Sequence, residues 1–146
     1  MILPDFKGFP RTGRIMGIDW GAARIGVAVS DPTRDFVFAR PIVRGGADAI
    51  KQIITIATDD DVVGIVVGLP LRMDGTDSDT TVAVRAFVSE LGKHTNLPIC
   101  MIDETLTSSA AAEQMGKMTR RDVKEKLDSQ SAVIILENAI DVIKRV

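Results

Sequence analysis

Residues 62–69 read Val-Val-Gly-Ile-Val-Val-Gly-Leu, the longest uninterrupted apolar run in the chain. It is far shorter than the roughly 20 residues a membrane helix needs. It has the length and composition of a strand covered on both faces. Such strands occur in parallel sheets with helices packed on either side, so this one run already predicts an α/β fold.

The flanking segments fill in the order. Arg14–Asp19 (RIMGID) is a short apolar run of strand length, Trp20–Ala23 is a small-residue turn, and Arg24–Ser30 alternates as a second strand. Asp31-Pro-Thr turns the chain into a third strand, Phe36–Val43. Short turns between three strands imply an antiparallel meander, and Pro41 assigns the third to an edge because proline cannot donate to the ladder. From residue 46 the period changes: Ala47, Ile50, Ile53, Ile54 and Ala57 mark a helix over about 46–58. Val84, Phe87, Val88 and Leu91 mark a second helix ending near Gly92, followed by the strand Ile99–Asp103. A third helix is expected over about 107–116, then a loop over 117–127 that orders on substrate. A final helix carries the stripe Ala132, Ile135, Leu136, Ala139, Ile140 and Ile143. The order βββαβαβαα gives an α/β domain with a mixed five-stranded sheet, three antiparallel strands then two parallel, flanked by helices. The domain is expected over 14–146, behind a flexible, Pro- and Gly-punctuated N-terminal extension, 1–13.

Composition narrows the function. With 146 residues and a net charge of −2, the chain is one domain without the basic excess of a generic nucleic-acid binder. Its six aromatics are too few for a base-stacking platform. A single cysteine, Cys100, excludes an internal disulfide or a cysteine metal cluster, which makes a reducing cytoplasm the default location. Pro4, Asp5 and Lys7 interrupt the place where a secretory signal would be apolar, and no membrane association is expected. The charges are segregated: residues 1–45 and 117–126 are net basic, and the stretch between them is strongly acidic. Solvated surface is one reading of that pattern; the other is two phosphate-binding edges around an acidic metal centre.

Three acids stand where chemistry collects. Ligands of open α/β sheets bind beyond the carboxyl ends of the strands, and Asp19 and Asp103-Glu104 lie at two such ends. Strand alternation sends Asp103 and Glu104 to opposite faces, so one of them at most joins Asp19. Asp128 lies four residues before Ala132, on the buried stripe of the last helix, where a carboxylate is costly unless paired or metal-bound. Each has a plainer reading: Asp19 as a turn-former before Gly21, Glu104 as a loop residue, Asp128 as a helix cap. Together, three oxygen donors without His or Cys describe a site for Mg²⁺ or Mn²⁺, and two such ions suit phosphodiester cleavage. His94 is expected at the surface, and Cys100 in the core.

Asp19-Trp-Gly-Ala-Ala-Arg-Ile-Gly-Val-Ala-Val29, Val67-Gly-Leu-Pro-Leu71 with Met73-Asp-Gly-Thr76, Ile102-Asp-Glu104 and Leu127-Asp-Ser-Gln-Ser-Ala132 together resemble the YqgF (RuvX-like) family of the ribonuclease H-like superfamily. The resemblance runs from about Arg14 to Val142. It implies a bacterial, cytoplasmic, metal-dependent nuclease that matures the 5′ end of 16S ribosomal RNA. On that resemblance Asp19, Glu104 and Asp128 are the catalytic, metal-binding acids. Arg24 matches a motif arginine assigned to phosphate contact, and from the charge pattern Lys117, Arg120, Arg121 and Lys124 of the second basic stretch are expected to hold further phosphates. The Met73–Thr76 loop borders the substrate groove. Two departures stand out. Thr105 replaces an arginine usual after Asp-Glu, and Ser131 stands where junction resolvases carry a second helix acid.

Structured RNA is therefore the expected partner, handled as a monomer or homodimer. Two alternatives remain at this level: a DNA-junction resolvase, and a non-catalytic RNA-binding module with a relict site. Asp19-x-Gly-x-x-x-x-Gly26 also resembles the first phosphate loop of actin-like ATPases, but those need a second such domain, for which 146 residues leave no room.

Overall fold

The computed structural model describes residues 1–104 and 120–146, apart from the side chains of 120–129. Three strands come first: β1 (Ile15–Asp19), β2 (Arg24–Ser30) and β3 (Val37–Arg44). Then follow α1 (Ala49–Asp59), β4 (Gly64–Leu69), α2 (Asp79–His94), β5 (Ile99–Asp103) and a 26-residue helix, α3 (Arg120–Arg145). The strands form one five-stranded sheet in the order β3-β2-β1-β4-β5. β1 pairs antiparallel with β2 and β2 with β3, while β1 with β4 and β4 with β5 are parallel. The apolar run that became β4 is buried at every position, as a strand covered on both faces must be. Pro41 lies on the edge strand β3, where its missing N–H costs no ladder bond.

Alternation along the strands divides the core in two. Met16, Ile18, Ile65 and Val67 face α1 and α2, meeting Ile53, Ala57, Val84, Val88 and Leu91. Ile15, Val66 and Cys100 point the other way, against Ala132, Ile135, Leu136, Ala139 and Ile143 of α3. Burial pushes the Cys100 thiol up to about 11, which marks it as packing material instead of a nucleophile.

The structure departs from expectation in three places. The last helix begins by Arg120, so residues 120–127, expected as loop, are helical; 117–119 and the helix expected over 107–116 lie outside the described residues. The second helix, expected to end near Gly92, runs two residues further to His94, and Gly92 lies against Ile2, which would sit 3.3 Å from an added Cβ. Residues 1–13, expected as a flexible extension, are packed down. Phe6 and Phe9 are 7% and 3% exposed and meet edge-to-face at 5.5 Å, and Ile2 bridges in parallel to Ile99 on the open side of β5.

Gly17 in β1 sets how closely α3 approaches. A Cβ there would lie 2.8 Å from the Leu136 Cβ and 2.9 Å from the Ala132 carbonyl oxygen. Helix backbone cannot yield as a flexible side chain can, so Gly17→Ala is expected to destabilise the fold by about 1–3 kcal/mol, the usual cost of overpacking. Gly8→Ala, with nothing within 4 Å, serves as the neutral control. Equal unfolding midpoints for the two variants in urea would show that α3 is not seated there.

Candidate active site

β1 ends at Asp19 and β5 ends at Asp103, and β4 lies between them. Two acids on non-adjacent strands stand about 10 Å apart at the backbone, from two strand spacings of 4.7–4.9 Å. They meet because the intervening position has no side chain. Ile18 pairs with Val67, so one step further Asp19 stands level with Gly68. Glu104 leans back across that gap: a Cβ on Gly68 would lie 2.9 Å from the Glu104 Oε2 and 3.0 Å from its Cδ. In this way Glu104 reaches the Asp19 side chain and hydrogen-bonds to it.

The alternation expected from the sequence holds at this end of β5. Asp103 is exposed and Glu104 is 5% exposed, on the α3 side of the sheet. Burial pushes the Glu104 carboxyl above the ordinary range; the hydrogen bond to Asp19 opposes that shift and the nearby Asp103 charge adds to it. Two carboxyl groups bonded to each other hold one proton between them, and a divalent cation can take the place of that proton. The donor set is all oxygen, which suits a hard cation.

Asp128 belongs to α3, which runs opposite to β1: Gly17 meets Ala132 and Leu136, and Arg11, before β1, hydrogen-bonds to the carbonyl of Ile143. Moving from Ala132 to position 128 climbs about 6 Å of helix, and moving from Gly17 to Asp19 climbs about 6.6 Å of strand, in the same direction. The backbone therefore carries position 128 towards the Asp19 end, although its side chain lies outside the described residues. Among the described residues no group of three or more His, Cys, Asp or Glu could hold a metal ion, so Asp19 and Glu104 are the pair in place.

Arg24 opens β2 beside the turn from Asp19, in register with Arg44. Its Nη1 is buried and, among the described residues, has no hydrogen-bond partner. The turn is tight: Gly45 donates to the Ala23 carbonyl at 3.0 Å, and a Cβ on Gly21 would fall 2.6 Å from the Arg24 carbonyl oxygen. Arg120, Arg121 and Lys124 lie on the first turns of α3, with side chains outside the described residues; Lys117 and Thr105 lie wholly outside them. On the far rim the 71–77 loop is a small hairpin in which Leu71 bridges to Asp77 and Gly75 sits at φ 84°. It presents Met73 at 98% exposure. Ser131 is buried in α3, and His94 lies at the surface beside Glu90, away from the acids.

The residue that reading by motif underused is Gly68. It stood in the sequence as part of an apolar strand and of Val67-Gly-Leu-Pro-Leu71. A glycine inside a strand often marks close approach of another group, and that was the available signal.

A family model described as "RuvX: Holliday junction resolvase" matches residues 13–142. A protein named "Putative pre-16S rRNA nuclease" from Maridesulfovibrio salexigens is 41% identical over 128 residues, covering 85% of this chain and 95% of that one. Another of the same name from Rhodopirellula baltica is 36% identical over 140 residues, 92% and 80% of the two chains. Among solved structures, Thermus thermophilus RuvC in complex with a Holliday junction substrate superposes with a TM-score of 0.57 over 91% of this chain and 96% of that one. At 10% identity that likeness speaks for the fold alone, which is ribonuclease H-like. By the span of the family match and the identity to its relatives, the chain belongs to the RuvX family.

Proposed function

We propose that this protein is a divalent-metal-dependent endonuclease that hydrolyses phosphodiester bonds in structured RNA, acting at the 5′ end of precursor 16S ribosomal RNA in the bacterial cytoplasm. The observation that carries the reading is the Asp19–Glu104 pair, two carboxyls from non-adjacent strands drawn together over Gly68 at the carboxyl end of the sheet. Family membership, with relatives named for pre-16S rRNA, supports that choice of substrate.

In this reading Asp19, Glu104 and Asp128 hold Mg²⁺ or Mn²⁺. The chemistry two bound ions supply is an activated water and a stabilised leaving oxygen. The protein's own residues do the rest. Asp19, at a strand end, and Glu104, buried over Gly68, where the Ile135 side chain also comes close, present their oxygens in fixed directions. Arg24 offers a donor to a phosphate beside them. Arg120, Arg121 and Lys124, with Lys117, add positive charge to the start of α3, where the helix dipole already favours an anion. The Met73–Thr76 hairpin borders the groove on the β4 side.

Two outcomes test this. Cleavage of a structured ribosomal-RNA precursor should require Mn²⁺ or Mg²⁺. It should fall at least about 100-fold in Asp19→Asn, since even loss of an outer-sphere partner costs 10–100-fold, with the unfolding midpoint preserved. A variant that cleaves at the wild-type rate overturns the assignment of Asp19. Cleavage of a four-way DNA junction in preference to RNA transfers the same acids to a resolvase.

The second outcome is a pH dependence of the metal-free protein. A carboxyl whose folded pKa is raised contributes stability that is intact below its unfolded value and is lost as pH rises through the folded one. Replacing Glu104 by Gln removes that loss. The Tm advantage of Glu104→Gln over wild type, measured in EDTA, should therefore grow from pH 4 to pH 7, and saturating Mg²⁺ should reverse it. A difference independent of pH would show that the Glu104 carboxyl is not held out of water.

A further inference from the structure

At the end of the sheet away from the acids, the β2–β3 turn holds a guanidinium that the nuclease chemistry does not use. Arg34 is 6% exposed. Its backbone is at φ 64°, in the left-handed region that non-glycine residues enter only under constraint. The constraint is visible: the Arg34 N–H donates to the Asp31 carbonyl at 3.0 Å, and its Nε donates to the Gly13 carbonyl at 2.8 Å. That bond aims the other end of the side chain inward. Both Nη1 and Nη2 are buried, and among the described residues neither has a hydrogen-bond partner and no carboxylate lies within ion-pair distance of the guanidinium.

Arg34 forms part of the wall of a cavity of about 260 Å³ between the turn and the end of α3. Its other linings are Arg11, Thr33, Ile140, Ile143 and Lys144. Three of the six lining residues are basic and none is acidic. Arg11 is partly engaged, donating through Nη2 to the Val146 carbonyl at 2.7 Å and through Nη1 to Ile143 at 3.5 Å. Arg34 and Ile140 also line a neighbouring depression that carries Asp35 and Glu137, and neither acid lines the basic cavity. A buried guanidinium with two idle donors is costly unless a partner of opposite charge completes it.

We propose that this cavity is a binding site for a phosphoryl oxyanion, with the two Nη groups of Arg34 as a forked donor and Arg11 and Lys144 as flanking charges. The fork matches two oxygens of one phosphate in a way a lysine cannot. Entry requires a side-chain shift, which exposed Lys144 can make. The site is separate from the carboxylates: β1 alone, from Ile15 to Asp19, puts about 13 Å of strand between the two ends. It does not depend on the nuclease reading. The anion's source is either free phosphate or a phosphate of a bound nucleic acid.

The test begins with inorganic phosphate, titrated at constant ionic strength into ¹⁵N-labelled protein while the backbone amide resonances of Thr33, position 34 and Lys144, which survive substitution of Arg34, are followed. A saturable shift is expected, weakened at least about tenfold in Arg34→Lys, which keeps the charge and loses the fork. Arg34→Met removes the fork together with the Nε bond to Gly13, and should abolish the rise in Tm that phosphate gives the wild type. If the Met variant does not fold, the Lys variant carries the comparison. No saturable shift in the wild type, or a shift unchanged in Arg34→Lys, overturns the proposal. So does an Arg34→Met variant destabilised equally with and without phosphate. The sources separate in an RNA titration across salt. A wild-type slope of log K against log[salt] steeper than that of Arg34→Met by about 0.7–0.9 assigns the site to a nucleic-acid phosphate. Equal slopes, with the phosphate shift present, assign it to the free ion.

Discussion

The seat of α3 on Gly17 governs the geometry of this molecule. With only a hydrogen where a side chain would be, β1 lets the Ala132 carbonyl and the Leu136 side chain come down onto the sheet. The helix is 26 residues long, about 39 Å, and its direction opposes β1. One contact near its middle therefore fixes both ends. The N-terminal end is directed to the carboxyl end of the parallel strands, and the C-terminal end, with Ile143 and Lys144, closes over the β2–β3 turn. A small change in the depth of that contact would be felt at each extremity.

The acidic end shows how a sheet can bring together groups it holds apart. Neighbouring strands make a pair of acids easy to arrange; strands one place further apart hold their side chains out of reach. Here the donors come from β1 and β5, and Gly68 in the strand between them is the empty position over which Glu104 crosses. Burial makes the Glu104 charge expensive by itself, and that expense is the usual signature of a group tuned for chemistry. Rigid strand ends then fix its direction without relying on a loop.

Much of this architecture was legible from apolar period alone. The β4 run, the alternation in β2 and the helical stripe on α3 each report a local rule that tertiary packing did not override. Pro41 correctly announced an edge, and strand parity correctly sent Asp103 and Glu104 to opposite faces. What escaped depends on partners distant in sequence. Gly92 reads as a stop although the helix runs on to His94, and Phe6 and Phe9 lie among prolines and glycines that suggest a loose tail. Arg34 reads as one more surface charge, since nothing local shows that its side chain is turned inward. The acids at the ends of β1 and β5 were readable because strand ends are where α/β sheets concentrate chemistry. Their crossing over Gly68 was not, because strand order must be known first.

The opening residues carry a mechanical consequence. Leu3 donates to the Ile99 carbonyl at 2.8 Å and Ile99 donates to Met1 at 2.7 Å, so the chain's first residues act as a gasket over Ile99, at the start of β5. Without that gasket β5 would present a bare ladder edge of apolar residues, a template for unwanted pairing between molecules. Any tag or trimming that displaces residues 1–9 thus alters more than a terminus: it uncaps the sheet and releases two phenylalanine rings into water, turning a convenience of protein preparation into an aggregation hazard.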